Sequence, residues 1–487
     1  MSNPIKIYEI KGKDFMQGLS IQSDFALGGL FASGTTDPFR KMGYMTGVPA
    51  NTEIDNTVIT SQVTYLASKN SGSEGYVFAI NDSLVDKTKS FYRIKISDGS
   101  VIDYSDQIDQ NASSPISHNG VAFHKGRVIY EQGGSLRSNT LTPTTGNDTN
   151  ILTSASTGGS DTPIMFATGP DGVMYYTANT NASIGKIVLV TGTSGNTATA
   201  FTMSDTALTP KDLCNDGVYL VWVADNNPNK SIYGNASCRV FFWDTIKTKA
   251  DIIYDIPDSY VISCRYVDGK VLILGASGIW ACNSATPPKL IFPLNSNKLP
   301  TKANQVTTKD NIMYWISPAV VNRVYAYGSK IGSPILYNPF VLSASSDLGL
   351  AFVSSGDYFV GSDENGVFLH DTNGTPVNGN LQSVYTPLNQ TYKFAYAKVV
   401  LKAPLSTGQQ VDLSILNGNG QVITNSTSKN FTQVGAKQTL IFNPNPTAGS
   451  FSQFEDLSVS ITTQTDVTVQ RVTIYATPLP DDSGQTI

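Results

Sequence analysis

The sequence predicts an all-β protein, a β-propeller of about seven blades followed by a C-terminal jelly-roll β-sandwich. Three observations lead there. Turn residues Gly75, Gly126, Gly172, Gly217, Gly269, Asn311 and Gly356 recur at steps of 42 to 52 residues, each followed at once by a short apolar, aromatic-rich run. A period of about 40 to 50 residues marks an array in which one unit of sheet is used repeatedly. Good helix formers are scarce, charged residues make up only 15% of the 487, and no stretch keeps a 3.6-residue period over four turns. Finally, the pattern changes character after Pro376, where alternating strand-like runs continue without the blade period.

The repeating units agree in their internal order. Gly126 precedes Arg-Val-Ile-Tyr, Gly172 precedes Val-Met-Tyr-Tyr, Gly217 precedes Val-Tyr-Leu-Val, and Asn311 precedes Ile-Met-Tyr-Trp. Such β-branched and aromatic runs suit strands buried on one or both faces. A second strand-like run follows in every unit, at 91–96, 136–141, 184–190, 239–243, 278–282, 323–327 and 366–370. Two central strands with a weaker strand on each side make the four-stranded blade of a propeller. The leading Gly or Asn supplies the positive φ that a tight turn into the strand requires. Stacked sandwiches also space strands by about 8 to 12 residues. The seven-fold recurrence of turn, strand, loop and second strand in one order favours the propeller, with six or eight blades as neighbouring counts.

A chain of this length divides into two or three domains. Residues 1–55 hold no blade unit and read as an extended N-terminal arm. The propeller spans 56–378, the sandwich 379–478 and a flexible tail 479–487. In the arm, Asp37, Pro38, Phe39, Arg40 and Tyr44 mix isolated large apolar residues with Pro and Gly, the texture of a segment laid on another surface. These five are the expected partner-binding residues. In the sandwich, strands are expected at 392–403, 410–416, 421–424, 438–443, 456–462 and 467–476. The turn Asn417-Gly418-Asn419-Gly420 is a hairpin signal between two of them.

Charge narrows the function classes. The net charge is −5 and no Lys/Arg cluster exists, so binding to nucleic acid by phosphate neutralisation is not expected. The apolar runs reach only strand length, so no membrane-spanning helix is expected. The start, Met1-Ser2-Asn3-Pro4-Ile5-Lys6, lacks the apolar core of a signal peptide, which points to synthesis in a cytoplasm.

The search for chemistry yields structural readings. Cys214, Cys238, Cys264 and Cys282 lack the spacing of a zinc site and the density of a disulfide scaffold, and are expected as buried free thiols. No nucleophile elbow, zinc-protease helix or phosphate loop is present. His118, His124 and His370 are the only histidines, and His370-Asp371 reads as a polar pair closing a blade. The carboxylates of Ser362-Asp363-Glu364-Asn365-Gly366 are adjacent on one turn, whereas glycoside hydrolysis needs two carboxyls opposed across a substrate. Asp225-Asn226-Asn227-Pro228-Asn229 offers oxygen donors of the kind calcium takes, but without EF-hand spacing, and Asx-turn chemistry accounts for it. Sequons at Asn111, Asn181, Asn235, Asn389 and Asn430 fit chance in a chain this rich in Asn, Ser and Thr. No cofactor and no enzymatic activity are expected.

The order of parts carries a resemblance. An Asp-Pro-Phe-Arg-x-x-Gly-Tyr arm at 37–44 is followed by a propeller opening with Ser61-Gln62-Val63-Thr64-Tyr65-Leu66. After it comes a sandwich that begins Tyr392-Lys393-Phe394-Ala395-Tyr396-Ala397-Lys398-Val399 and closes near Val472-Thr473-Ile474-Tyr475. This arrangement resembles structural proteins of tailed-bacteriophage virions. The resemblance implies a tail component (nozzle, tail tip, baseplate or adaptor) made in the bacterial cytoplasm and located in the virion. Its partners would be other tail proteins and copies of itself in a ring. The alternative is an adsorption protein that binds or degrades host surface polysaccharide, with exposed tyrosines contacting the glycan.

Overall fold

Tight hairpins join the first and second strands of several blades. In the computed structural model, Lys125-Gly126, Asp268-Gly269 and Asp310-Asn311 each place two successive residues at positive φ, between 45° and 80°. Their flanking pairs, His124 with Arg127, Val267 with Lys270 and Lys309 with Ile312, close directly around the two turn residues. Positive φ at both central positions gives the type I′ turn, whose twist matches that of the strands it joins. Gly172, Gly217 and Gly356 are also at positive φ. Six of the seven periodic turn residues therefore adopt the backbone conformation that their type favours.

The structure describes residues 3–15, 19–20, 31–35, 37, 44–54, 59, 63–69, 75–81, 91–104, 120–132, 135–140, 163–178, 182–189, 195–227, 230–231, 237–317, 324–328, 334–336, 351–362, 366–383, 385–424, 427–444 and 453–479. Two units are formed. One comprises Asn51–Lys330 and Leu342–His370, the other Met1–Ala50, Ile331–Val341 and Asp371–Ile487.

The first unit is a seven-bladed β-propeller. Blade one consists of Val63–Lys69, Tyr76–Asn81, Phe91–Lys95 and Val101–Asp103 in that order. Blade two shows Val121–His124, Arg127–Gln132 and Ser135–Thr140. Blade three runs from Phe166–Thr168 to Gly195–Thr202, blade four from Thr209–Asn215 to Ile252–Ile256, and blade five from Val261–Val267 to Thr286–Pro293, each with four antiparallel strands. Blade six contributes Val306–Lys309, Ile312–Ile316 and Val324–Tyr327. Blade seven is built from Ala351–Ser355, Tyr358–Ser362 and Val367–Asp371, and its fourth strand is Asn51–Glu53 from the other end of the unit. Leu369 pairs with Thr52 and His370 with Asn51. The ring is thus latched by hydrogen bonds between strands more than three hundred residues apart.

Apolar side chains fill the seams between blades. Val63, Val77, Tyr92 and Ile94 of blade one pack with Val360, Val367 and Leu369 of blade seven. Between blades three and four, Trp222 is fully buried, stacked on Phe241 at 4.9 Å and edge-on to Phe201 at 4.9 Å. Burying one large apolar side chain contributes about 1.5–3 kcal/mol. These seams, rather than any single sheet, hold the ring.

Among the described residues, the second unit has a hydrophobic core enclosed by a ten-stranded sheet network that draws on both ends of the chain. Thr386–Leu401, Gln410–Asn417, Thr439–Phe442, Gln453–Gln464 and Val469–Pro478 match five of the expected strands. The sixth, at 421–424, is present only as isolated bridges at Val422 and Thr424. Gln410–Asn417 buries alternate residues, with Val411, Leu413 and Ile415 inward, as period-2 patterning requires. The Asn417–Gly420 turn closes as a hairpin: the Asn417 amide donates to Gln421 O at 3.0 Å and the Gly420 amide to Asn417 O at 2.8 Å. From the N-terminal segment, Ile5–Ile10 pairs with Val469–Pro478, and Phe31–Thr35 and Val48–Pro49 both pair with Pro376–Ser383. Ile10, Phe15 and Met45 join the same core.

Candidate functional site

The inner strands of all seven blades line a central cavity of about 510 Å³. Asp212, on the inner strand of blade four, is fully buried there. Its carboxylate accepts from the Ser263 hydroxyl at 2.5 Å, the Cys264 amide at 2.9 Å, the Leu213 amide at 2.8 Å and the Arg265 guanidinium. The same guanidinium donates to the carbonyls of Cys264 at 2.7 Å, Ala303 at 3.2 Å and Val306 at 2.9 Å. Blades four, five and six are thereby tied at their inner ends. Burial pushes the Asp212 carboxyl up, and Arg265, Ser263 and the two amides pull against that shift. With Nη1 and Nη2 both donating to these partners, Arg265 acts as a tie between blades.

Similar ties recur around the ring. Ser354 Oγ donates to Thr308 O at 2.7 Å, Asn215 Nδ2 to Thr168 O at 2.9 Å, and Ser362 Oγ to Val63 O at 2.7 Å across the closing seam. Tyr65, Phe123, Phe166 and Phe352, each from a different blade, also line the cavity.

The oxygen-rich loop after blade four's second strand is occupied by its own backbone. Asp225 accepts from the Asn227 amide at 2.9 Å and the Val261 amide at 2.9 Å, with Lys211 Nζ at 3.4 Å. Asn227 donates to Ser231 O and Ser259 O, both at 2.8 Å, and Asn226 accepts from the Ser237 amide. The side-chain oxygens of these three residues organise the loop, in the Asx manner expected. Asn229 lies outside the described residues.

All four cysteines are free and buried in one cluster between blades four and five. Desolvation pushes the Cys238 and Cys282 thiols up to about 12 and raises the Cys264 thiol well above its ordinary value. Such thiols are poor nucleophiles. His370 is buried and stacks on Phe359, and His124 is buried with its pKa pushed down by desolvation and by Lys125. His118, Asp363, Glu364 and Asn365 lie outside the described residues.

The expected partner-binding residues fall in the second unit. Asp37 is 2% exposed and its amide donates to Thr46 O at 2.9 Å. Tyr44 is half-buried, with Lys402 Nζ 4.8 Å from its ring centre. Pro38, Phe39 and Arg40 lie outside the described residues.

Two further surfaces of that unit escaped the sequence reading. In Thr386–Leu401, Ala397, Val399 and Leu401 point into the core, which turns Tyr396, Lys398 and Val400 outward. Tyr396 pairs with Tyr475, their rings stack at 4.6 Å, and Lys398 Nζ lies 5.5 and 5.2 Å from the two centroids. Lys6, Arg471 and Ile441 pair with Tyr475, Val400 and Lys398 and extend this face. The Glu9 carboxylate sits among them, 3.4 Å from Lys6 and 4.0 Å from Arg471. The second surface is a hollow of about 280 Å³ beside the Asn417–Gly420 turn. Its lining includes Thr391, Asn419, Gln453, Glu455 and Asp456 and, among the described residues, no basic group. Thr391 donates to Glu455 at 2.7 Å. Both surfaces are assembled by pairing between distant strands, so no local motif announces them.

No family model matches the chain, and no curated protein matches it in sequence. Among solved structures it is similar to virginiamycin B lyase from Staphylococcus aureus, at 12% identity and a TM-score of 0.47 over 66% of this chain and 97% of that one. It is similar also to the Dos1 propeller, at 11% identity and a TM-score of 0.47 over 68% and 96%. A third similarity is to the computationally designed Ika8 protein, at 12% identity and a TM-score of 0.43 over 67% and 100%.

Proposed function

We propose that this protein is a structural component of a bacteriophage tail, assembled in several copies through protein–protein contacts, with the propeller as a rigid spacer. The observation that carries the reading is the use made of the polar groups at the propeller's centre. Asp212, Arg265 and Ser354 are engaged in ties between blades, an arrangement suited to rigidity. The sequence resemblance to virion proteins supplies the context. In this reading the strands of 379–478 serve as a jelly-roll module, and the segment holding Asp37, Pro38, Phe39, Arg40 and Tyr44 contacts a neighbour, with Asp37 and Tyr44 anchoring it on its own unit. A ring requires only one self-compatible contact, repeated by rotation.

The experiment is direct. Purified virions of the phage that encodes the chain are analysed by quantitative mass spectrometry and cryo-electron microscopy. Several copies per particle, located on the tail, are expected; absence from the particle overturns the proposal.

A second reading, adsorption to host polysaccharide, draws on the central cavity, whose lining includes the aromatic residues Phe123 and Phe166 and the hydroxyl-bearing residues Ser68, Thr168 and Thr307. Aromatic faces combined with hydrogen-bonding groups suit sugar rings, and valency on a particle would strengthen weak contacts. Calorimetric titration with host capsule or lipopolysaccharide oligosaccharides tests it, and no heat at millimolar ligand rejects it.

A further inference from the structure

We propose that the outward sheet face around Tyr396, Tyr475, Lys398 and Arg471 docks onto the acidic hollow at Glu455 and Asp456 of a second copy of this chain. The inference rests on the multi-copy reading and names the contact through which copies meet.

The first argument is composition. Lys6, Lys398 and Arg471 stand against the single carboxylate of Glu9, on a chain whose net charge is −5. A cationic face on an acidic protein is a local departure that selects an acidic partner. Stacked tyrosines, an arginine half exposed at 50% and an isoleucine exposed at 49% accompany the charge. Tyr and Arg are the residues enriched at interface centres, where they bring large contact area and directed hydrogen bonds.

The second argument is complementarity. The hollow presents two carboxylates, an amide from Asn419 and another from Gln453, without a cation among the described lining residues. Its Asp456 lies against the backbone of Gly418, where a Cβ would stand 3.2 Å from the carboxylate oxygen. A side chain at position 418 would crowd that carboxylate, and the glycine leaves it uncovered on this side. Opposite potentials on two patches steer the encounter and fix its register.

The third argument is placement. Gln453 pairs with Lys393 and Phe454 with Tyr392, near the start of Thr386–Leu401, whereas Lys398 and the partner of Arg471, Val400, lie towards its end. Six residues of strand from Tyr392 to Lys398 separate the patches by roughly 20 Å at about 3.3 Å per residue. One copy therefore cannot satisfy its own hollow with its own face, and the two patches are free to meet between copies.

The test uses the full-length purified chain in analytical ultracentrifugation. Wild type is expected to self-associate, and to dissociate as salt rises from about 0.1 M to about 1 M, which shortens the Debye length from about 10 Å to about 3 Å. The face variant K398E/R471E and the hollow variant E455K/D456K are each expected to weaken self-association by about 10- to 100-fold. Mixed together, the two variants are expected to recover part of the association, because each restores opposite charges to the other. Milder variants, K398Q and E455Q, keep the test valid where a charge reversal harms folding, as checked by circular dichroism. Self-association that neither variant pair disturbs overturns this contact and leaves the multi-copy reading standing. A wild type that stays monomeric at every concentration and salt also overturns the contact, while copy number in the virion decides the multi-copy reading separately.

Discussion

Arg265 holds the carboxylate of Asp212 across the seam between blades four and five, joining residues 53 positions apart in the chain. Asp212 is fully buried, so its removal leaves the Arg265 guanidinium without its counter-charge and the Ser263 hydroxyl without its acceptor. Breaking one side of a buried pair costs about 3–5 kcal/mol. D212A is expected to lower propeller stability by that amount, and D212A/R265M by less than the sum of the single changes. Trp222, Trp243, Trp280 and Trp315 are the four tryptophans and all lie in the propeller. Their fluorescence in a urea titration reports on that unit alone. An additive double mutant would show that the two residues act separately.

His124 gives a pH dependence. Burial and Lys125 push its pKa below the ordinary value of 6.5. The folded state therefore binds its proton less readily than the unfolded chain. The stabilising contribution is complete above about pH 6.5 and falls away as pH drops towards the lower, folded-state value. The urea midpoint of wild type is expected to fall between pH 7.5 and 5, and that of H124Q to fall less. Equal slopes would remove His124 as a source.

The thiols make a protection experiment. With Cys238 and Cys282 pushed up to about 12 and all four side chains buried, native protein at pH 8 is expected not to react with an aromatic disulfide reagent. In guanidinium chloride four equivalents are expected. Rapid native labelling would mean that the seam between blades four and five opens.

Two glycines separate backbone strain from collision. Gly269 has φ 79° in a turn with open space around its missing Cβ, so G269A pays only for left-handed backbone, about 1–2 kcal/mol. Gly278 has φ 135°, and a Cβ there would collide with Phe292 O and approach Leu294 N at 2.7 Å. G278A is expected to cost more than G269A in the same fluorescence assay, with similar costs counting against the role of close packing.

The blade repeat was legible because each hairpin is local. A turn needing positive φ selects Gly or Asn, and the strand after it must be apolar on the faces it buries, so Gly269 with Val271, Leu272 and Ile273 can be read from the chain alone. Asn51–Glu53 was not legible as a blade strand, because three residues carry no period and their partner, Val367–Asp371, lies at the far end of the unit. Met45 likewise looks like part of a loose arm, yet it exchanges backbone hydrogen bonds with Val469 at 2.9 and 3.0 Å.

Sequence by itself determined the all-β class, the recurring blade, the positive-φ turns and the burial expected of the four cysteines, since each follows from interactions between residues near in the chain or from the transfer of apolar groups out of water. Only the tertiary structure decided which distant strands latch the ring, that Asp212 and Arg265 neutralise each other, and that Tyr396, Tyr475, Lys398 and Arg471 share one face. Those outcomes depend on register between strands remote in sequence, where a shift of one residue would turn every side chain to the opposite side.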